Sequence, residues 1–176
     1  NTDFDSAEDC FSAIGLHLGF LSCQIINRKL WGKIIDKYNV NKFQNNWMMV
    51  YIIGKMMQEY PSWYYIHNKS IIQRIGNDSF VKEGIYKREL IAHQYYSDII
   101  EELFGKKSQV YNKIFYYINI DRLPRTFANL KSQKISIHLQ LRLFFLYTSK
   151  YYKYFSFWLN VFPLFFVPNF IFLVTK

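Results

Sequence analysis

An uncharged stretch near the end of the chain, residues 154–174, most strongly limits how its last part can fold. As a helix rising about 1.5 Å per residue, its 21 residues would match the ~30 Å hydrocarbon core of a bilayer. Helix-breaking or polar residues interrupt it, namely Asn160, Pro163, Pro168 and Asn169. Its first part resembles an interfacial aromatic belt, formed by Tyr151, Tyr152, Tyr154 and Trp158. We therefore predict an interfacial or re-entrant membrane-associating segment at 154–174, with a full span or a tail folded back onto the domain as alternatives.

The distribution of charge divides the chain in two. Fourteen Lys and Arg residues nearly balance thirteen Asp and Glu residues up to Asp121, whereas residues 122–176 have no acidic residue and carry +8 of the net charge of +9. The basic residues of this tail are Arg122, Arg125, Lys131, Lys134, Arg142, Lys150, Lys153 and Lys176. Such a tail suits a membrane surface with anionic lipid heads or another polyanion. No nucleic acid partner is predicted, because the cations are interleaved with large aliphatic side chains. We predict one domain at 1–121 and a basic, aromatic, helical tail at 122–176.

The residue types that commonly hold metals are few and scattered. Cys10 and Cys23 have neither disulfide-framework nor zinc-site spacing. The four histidines are far apart in sequence: His17, His67, His93 and His138. Asp3 and Asp5 have the DxD spelling that holds a divalent ion in many sugar transferases, but a solvated acidic helix start explains them adequately. We predict no metal site in this segment.

Apolar periodicity and turn residues predict an α+β fold that is mostly helical, with a few short strands. The predicted helices are residues 5–17 with Ser6 as the N-cap, 31–38, 47–57 with Asn46 as the N-cap, 80–104, 108–117 and 126–133. Extended segments are predicted at 18–27 and twice within 62–75, a polar loop at 39–46 and a helix break at 121–124. Residues 135–143 alternate with period two, as a strand does, but their continuation lacks that alternation and we expect helix.

Two segments carry the functional information: residues 20–31, FLSCQIINRKLW, and residues 71–80, IIQRIGNDSF. In the second, Gly76 permits a tight turn and Arg74 offers forked donors that suit a diphosphate or a sugar. Asp78 or Ser79 can cap the helix that follows. A plain strand-to-helix turn with Asp78 as its cap explains the same residues, so both interpretations stay open.

Together the two segments resemble the acceptor-side half of a family 2 glycosyltransferase, of the inverting, nucleotide-sugar-dependent kind that builds bacterial surface polysaccharides. The resemblance covers residues 16–110 and implies the C-terminal portion of a GT-A fold. It also implies that Arg28 faces the site, and a solvated charge at a turn explains Arg28 as well, so both interpretations stay open. The substrate-binding residues that it implies are Asn46, Trp47, Arg74, Asn77 and Asp78.

The chain departs from the family at the expected general base. Many members carry an acidic pair where this sequence has Gln44-Asn45-Asn46-Trp47, and an amide does not take up a proton at neutral pH. Three explanations stay open: Asp36 or Asp78 serves as the base, the base lies outside this chain, or the alignment is shifted by a loop. The catalytic residue is therefore unknown.

The resemblance further implies a nucleotide-sugar donor, a glycan or lipid-linked acceptor, and a Mg or Mn ion in the full-length enzyme that stabilises the departing diphosphate. It implies direct displacement at the anomeric carbon, at the cytoplasmic face of the inner membrane. We expect this chain to be a C-terminal piece of a longer protein and to be inactive by itself. The alternative hypothesis is a small, non-enzymatic, membrane-peripheral interaction protein.

Overall fold

A computed structural model describes residues 2–19, 24–43, 46–66 and 84–173 of the chain. The fold of these residues is mostly helical with a small two-stranded sheet, which confirms the predicted α+β class. The strands are β1 (Thr2–Phe4) and β2 (Trp63–Tyr65). The α-helices are α1 (Ala7–Ile14), α2 (Arg28–Lys37), α3 (Met48–Glu59), α4 (Ile85–Leu90), α5 (Tyr96–Phe104), α6 (Gln109–Tyr117), α7 (Leu123–Ser132), α8 (Ile137–Tyr151) and α9 (Phe155–Asn160). Short 3₁₀ turns lie at Gly15–His17, Val40–Phe43, Phe162–Phe165 and Asn169–Leu173. Short π-helical turns lie at Ile91–Tyr95 and Ile118–Arg122.

The chain divides into two compact units. Unit 1 comprises Asn1–Lys82 and Tyr95–Ile114, and unit 2 comprises Glu83–Gln94 and Phe115–Lys176. The predicted boundary after residue 121 stays a prediction.

Unit 1 is organised around α3, which packs against α1, α2 and α5. The sheet joins the start of the chain to residues after α3, since Thr2 lies opposite Tyr65 and Phe4 opposite Trp63 in antiparallel register. Gly54 brings α3 close to α5, because a Cβ at this position would lie 2.4 Å from Cδ1 of Leu103. A glycine therefore sets the distance between these helices.

The core of unit 2 includes the buried face of α8, which consists of Gln140, Leu143, Leu146, Tyr147 and Tyr151. The fully buried core residues of this unit are Leu123, Phe127, Leu143, Tyr147, Tyr151, Phe157 and Val161. Helix α4 packs against α8, and α9 packs against the π turn Ile118–Arg122. Part of the segment 154–174 thus belongs to the core of this unit, through Phe157 and Val161.

Local capping explains where several predicted helices begin and end. The Ser6 hydroxyl accepts a hydrogen bond from the Asp9 N–H at 3.0 Å, which confirms the predicted start of α1. Gly105 ends α5 with a φ of 81°, as its stop position predicts. Residues 137–151 are helical, which confirms the choice of helix for the alternating stretch.

Other local predictions are wrong. Residues 18, 19 and 24–27 do not form a strand; the rest of that predicted strand, residues 20–23, lies outside the described residues. The predicted break at 121–124 is instead a π turn followed directly by α7, because a proline fits the first turn of a helix. The polar loop at 39–46 contains a 3₁₀ turn with Val40 and Phe43 buried. The N-cap position of α3 is Trp47 rather than Asn46.

Within the described residues, no helix combines the length and the apolar character that crossing a bilayer requires. Residues 154–173 form α9 and two 3₁₀ turns instead of one continuous helix.

Candidate functional site

Trp47, one of the predicted substrate-binding residues, lies where the chain enters α3. Its half-buried indole packs edge-on against the Tyr96 ring, with the ring centroids 5.1 Å apart. The other neighbour is the backbone of Gly19, where a Cβ would lie only 2.2 Å from Cζ3 of the indole. Any side chain at residue 19 would therefore displace Trp47.

The residues on either side of 20–23 are held in place by hydrogen bonds. The Gln24 side-chain amide donates to the Leu18 carbonyl at 2.7 Å, which draws the two ends of this stretch together. Asn27 then caps α2, because its side-chain oxygen accepts from the N–H groups of Lys29 at 3.0 Å and Leu30 at 3.3 Å. Arg28 is exposed as the first residue of α2. Gly19 thus lies under Trp47, and Asn27 with residues 28–31 of the first functional segment forms a capped helix start.

Only some of the remaining predicted site residues lie within the part of the chain that the structure describes. Asn46 is exposed on the turn before α3. Arg74, Asn77 and Asp78 lie outside the described residues, so the structure does not bring them to Trp47 or separate them from it. Asp36, a candidate base, is exposed on α2.

Ion pairs join the elements around α3. The Glu59 carboxylate accepts from Lys37 Nζ at 2.6 Å and from the Tyr38 hydroxyl, which ties the end of α2 to the end of α3. Lys42 similarly pairs with Glu102 of α5. The hydrogen bond from Lys37 is the main cause that lowers the pKa of Glu59. These solvent-accessible pairs fix geometry more than they add stability.

Acidic residues with the DxD spelling do not form a metal centre in the described part of the chain. Asp3 is exposed on β1 opposite Tyr64, and Asp5 is exposed before α1. No group of three or more His, Cys, Asp or Glu side chains among the described residues is arranged to hold a metal ion.

Unit 2 contains a buried polar cluster that the sequence did not predict. Glu89 of α4 accepts a hydrogen bond from the Tyr147 hydroxyl of α8 at 2.7 Å, and its carboxylate lies 3.2 Å from Nε2 of His93. Nδ1 of the same imidazole lies 2.6 Å from the Tyr151 hydroxyl. All four side chains are buried.

The electrostatics of the cluster favour an ionised Glu89. Burial by itself raises the pKa of this carboxyl, but the hydrogen bond and the charge of His93, together with the Tyr147 hydroxyl, outweigh burial and hold the pKa below its usual value. Burial and the neighbouring carboxylate raise the pKa of Tyr147 well above its usual value. The four groups satisfy one another, and we assign them to joining α4 and α8.

A weak signal for this cluster was present in the sequence. Glu89 and His93 are four residues apart, as are Tyr147 and Tyr151, so each pair lies on one face of its helix. Nothing in the sequence indicated that these two faces meet.

A second buried charge lies on α7. Lys131 is 2 % exposed, and its ammonium donates to the carbonyls of Leu164 at 2.9 Å, Phe165 at 3.1 Å and Val167. Burial lowers the pKa of Lys131. Three backbone carbonyls therefore replace the carboxylate that a buried lysine usually requires, and the chain after α9 is held against α7.

Comparisons of the chain with models of protein families, with curated proteins and with solved structures gave no match.

Proposed function

We propose that this chain is the acceptor-side part of a glycosyltransferase with a GT-A fold, which moves a sugar from a nucleotide-sugar donor to a lipid-linked or polysaccharide acceptor. The two segments at 20–31 and 71–80 motivate the proposal, because they resemble family 2 members. The reaction takes place at the cytoplasmic face of the inner membrane.

The close approach of Trp47 to Gly19 is the structural observation that supports the proposal. These residues are 28 positions apart in the sequence, yet they place the entry to α3 beside the entry to the first functional segment. In the glycosyltransferase family that the two segments resemble, the entry to this helix and the start of the first functional segment belong to the acceptor site. A flat indole, partly exposed and held by Tyr96 and Gly19, is a suitable surface for the apolar face of a sugar ring.

The proposed chemistry is a single displacement. The acceptor hydroxyl oxygen attacks the anomeric carbon, the bond to the diphosphate oxygen breaks, and the nucleoside diphosphate leaves with the bonding electrons. The hydroxyl proton passes to a carboxylate base. Asn46 cannot take this proton, which leaves Asp36, Asp78 and a group outside this chain as candidates.

A divalent cation is expected in enzymes of this kind. The described residues do not fit one, since they contain no arrangement of ligands for a metal ion. We assign to this chain only the binding and orienting of the acceptor, through Trp47, and the binding of a diphosphate or a sugar, through Arg74.

Sugar transfer by the product of the whole reading frame tests the site. We expect Arg74→Ala and Asp78→Asn to lower transfer at least about tenfold, because each removes a charged contact to substrate. Arg125→Ala is the matched control, because the Arg125 side chain is 80 % exposed and pairs with neighbouring Asp121 at 2.5 Å. Unchanged transfer in both site variants would contradict the site assignment.

The Trp47 contact has its own test. Gly19→Ala places a methyl group against the indole and is expected to lower transfer, whereas Gly32→Ala, which meets nothing within 4 Å, is expected to leave transfer unchanged. Equal transfer by the two variants would remove the structural support for the acceptor site.

A further inference from the structure

The outer side of α8 exposes a stripe of large apolar side chains. Ile137, Leu141 and Phe145 are 70 %, 52 % and 68 % exposed. Their spacing of four residues places them one above another on the same side of the helix. Single exposed hydrophobic residues are ordinary, but an aligned row on one helix indicates a surface that contacts something.

Aromatic rings extend this stripe beyond the helix. Phe145 contacts Phe144, whose ring is 6.1 Å from that of Phe162. Phe162 in turn contacts Trp158 at 4.8 Å and Phe166 at 5.0 Å. Trp158 and Phe166 are both exposed. We call the exposed side chains of this set the apolar face: Ile137, Leu141, Phe145, Trp158 and Phe166.

Cationic side chains accompany the apolar face. Arg142 is exposed one position after Leu141, and Lys153 is exposed just beyond the end of α8. No acidic residue follows Asp121 in the sequence, so none in this tail balances these cations. An apolar stripe with cations at its edge is the pattern of helices that lie in the head-group region of anionic membranes.

The opposite side of α8 is buried in the core of unit 2. Leu143, Leu146 and Tyr147 are buried, and Lys131 holds the carbonyls of residues 164–167. The apolar face is therefore formed without unfolding any described element of unit 2.

We propose that the apolar face of unit 2 docks on an anionic lipid surface as a folded unit. In this arrangement α8 lies along the membrane surface, its stripe enters the head-group region, and its cations contact lipid phosphates. The segment 154–174 contributes Trp158 and Phe166 to the contact, while Phe157 and Val161 stay in the protein core. The proposal does not depend on the glycosyltransferase activity.

Co-sedimentation of the 176-residue chain with vesicles tests the docking. One set of vesicles is phosphatidylcholine alone and the other contains about one third phosphatidylglycerol. We expect the chain to bind the anionic vesicles about tenfold or more tightly than the neutral ones, because each cation near the surface contributes about fivefold. No binding to anionic vesicles, or equal binding to both, would overturn the proposal.

Paired variants locate the contact. The double variant Leu141→Ser and Phe145→Ser is expected to bind anionic vesicles at least about tenfold more weakly, because it removes two apolar side chains from the membrane contact. Its matched control is Ile25→Ser with Ile35→Ser, which removes exposed isoleucines from unit 1 and is expected to bind like the wild type. Equal weakening by both double variants would contradict the assignment of the face.

Folding and self-association are checked with the same proteins. Circular dichroism and thermal melting show whether the double variant is folded. If it is not, Phe166→Ser takes its place, and we expect this variant to bind anionic vesicles severalfold more weakly. Unchanged binding by Phe166→Ser would contradict the proposal. Light scattering measures the oligomeric state without lipid. A wild-type dimer that the Leu141→Ser and Phe145→Ser variant makes monomeric would show that a second copy, not lipid, covers this face.

Discussion

At the scale of single residues, the most unusual group is the Glu89 carboxylate, which is buried yet ionised. Replacing the carboxylate with an amide removes the charge and turns one acceptor oxygen into a donor, which weakens the hydrogen bonds with His93 and Tyr147. Glu89→Gln is therefore expected to lower the free energy of unfolding at pH 7 by about 2 kcal/mol. Glu101→Gln is the control and is expected to lower the free energy of unfolding by less than about 1 kcal/mol. The Glu101 side chain is 38 % exposed and pairs with Lys106 at the surface.

The same carboxylate predicts a pH dependence. Because the folded protein lowers the pKa of Glu89, its contribution to stability is present above the usual pKa of glutamate and is lost as the pH falls through the lowered value. We expect the difference in melting temperature between the wild type and Glu89→Gln to shrink below about pH 4. Thermal melting from pH 7 to pH 3 measures it, and a constant difference would contradict an ionised Glu89.

Lys131 gives a second prediction at this scale. Lys131→Met keeps an apolar side chain of similar length but removes the donor to three carbonyls. We therefore expect the free energy of unfolding to fall by about 2 kcal/mol and hydrogen exchange in residues 162–167 to become faster. Lys134→Met, three residues further along and exposed, is the control and is expected to change neither quantity. Unchanged exchange in Lys131→Met would show that these contacts do not hold the segment.

At the scale of elements, two helical glycines predict opposite effects. Gly32 of α2 has open space around it, so Gly32→Ala is expected to stabilise the protein by about 0.5–1 kcal/mol through helix propensity. Gly54→Ala gains the same helix propensity but pushes the buried Leu103 away from α3. We therefore expect it to lower the free energy of unfolding by about 1 kcal/mol. Chemical denaturation of both variants provides the comparison. Equal stabilisation would mean that Gly54 does not set the spacing of α3 and α5.

Elements marked by local chemistry were predictable from the sequence. Ser6 and Gly105 mark helix ends by capping and by backbone conformation, and both predictions are confirmed. The alternating stretch at 135–143 contains three leucines, which are good helix formers, and it is helical from Ile137 onward despite its period of two. Pro124 was interpreted as a break although a proline suits a helix start.

Features that depend on distant parts of the chain were not predictable in this way. Trp63–Tyr65 lies within the stretch 62–75 that is predicted to contain extended segments, but nothing local in the sequence indicates its pairing with Thr2–Phe4, about sixty positions earlier. The buried cluster likewise joins Glu89 to Tyr147, 58 positions later. Local periodicity identifies the face that an element buries but not its partner.

At the scale of the whole molecule, the candidate site is only partly located. Asn46 and Trp47 lie in the described residues, and Trp47 reaches Gly19 as a site near the first segment requires. The placement of Arg74, Asn77 and Asp78 stays a prediction. The resemblance identified these residues by their order in the sequence, which carries no information on the distances among them.

We propose that this chain is part of an inverting glycosyltransferase, and the anomeric configuration of the bond that the enzyme makes tests this proposal. The product of the whole reading frame is incubated with a panel of nucleotide sugars and a membrane extract as acceptor, and proton NMR determines the anomeric configuration of the new linkage. We predict transfer from one donor with inversion of its configuration. Retention of configuration, or no transfer from any donor with acceptor present, would contradict the account.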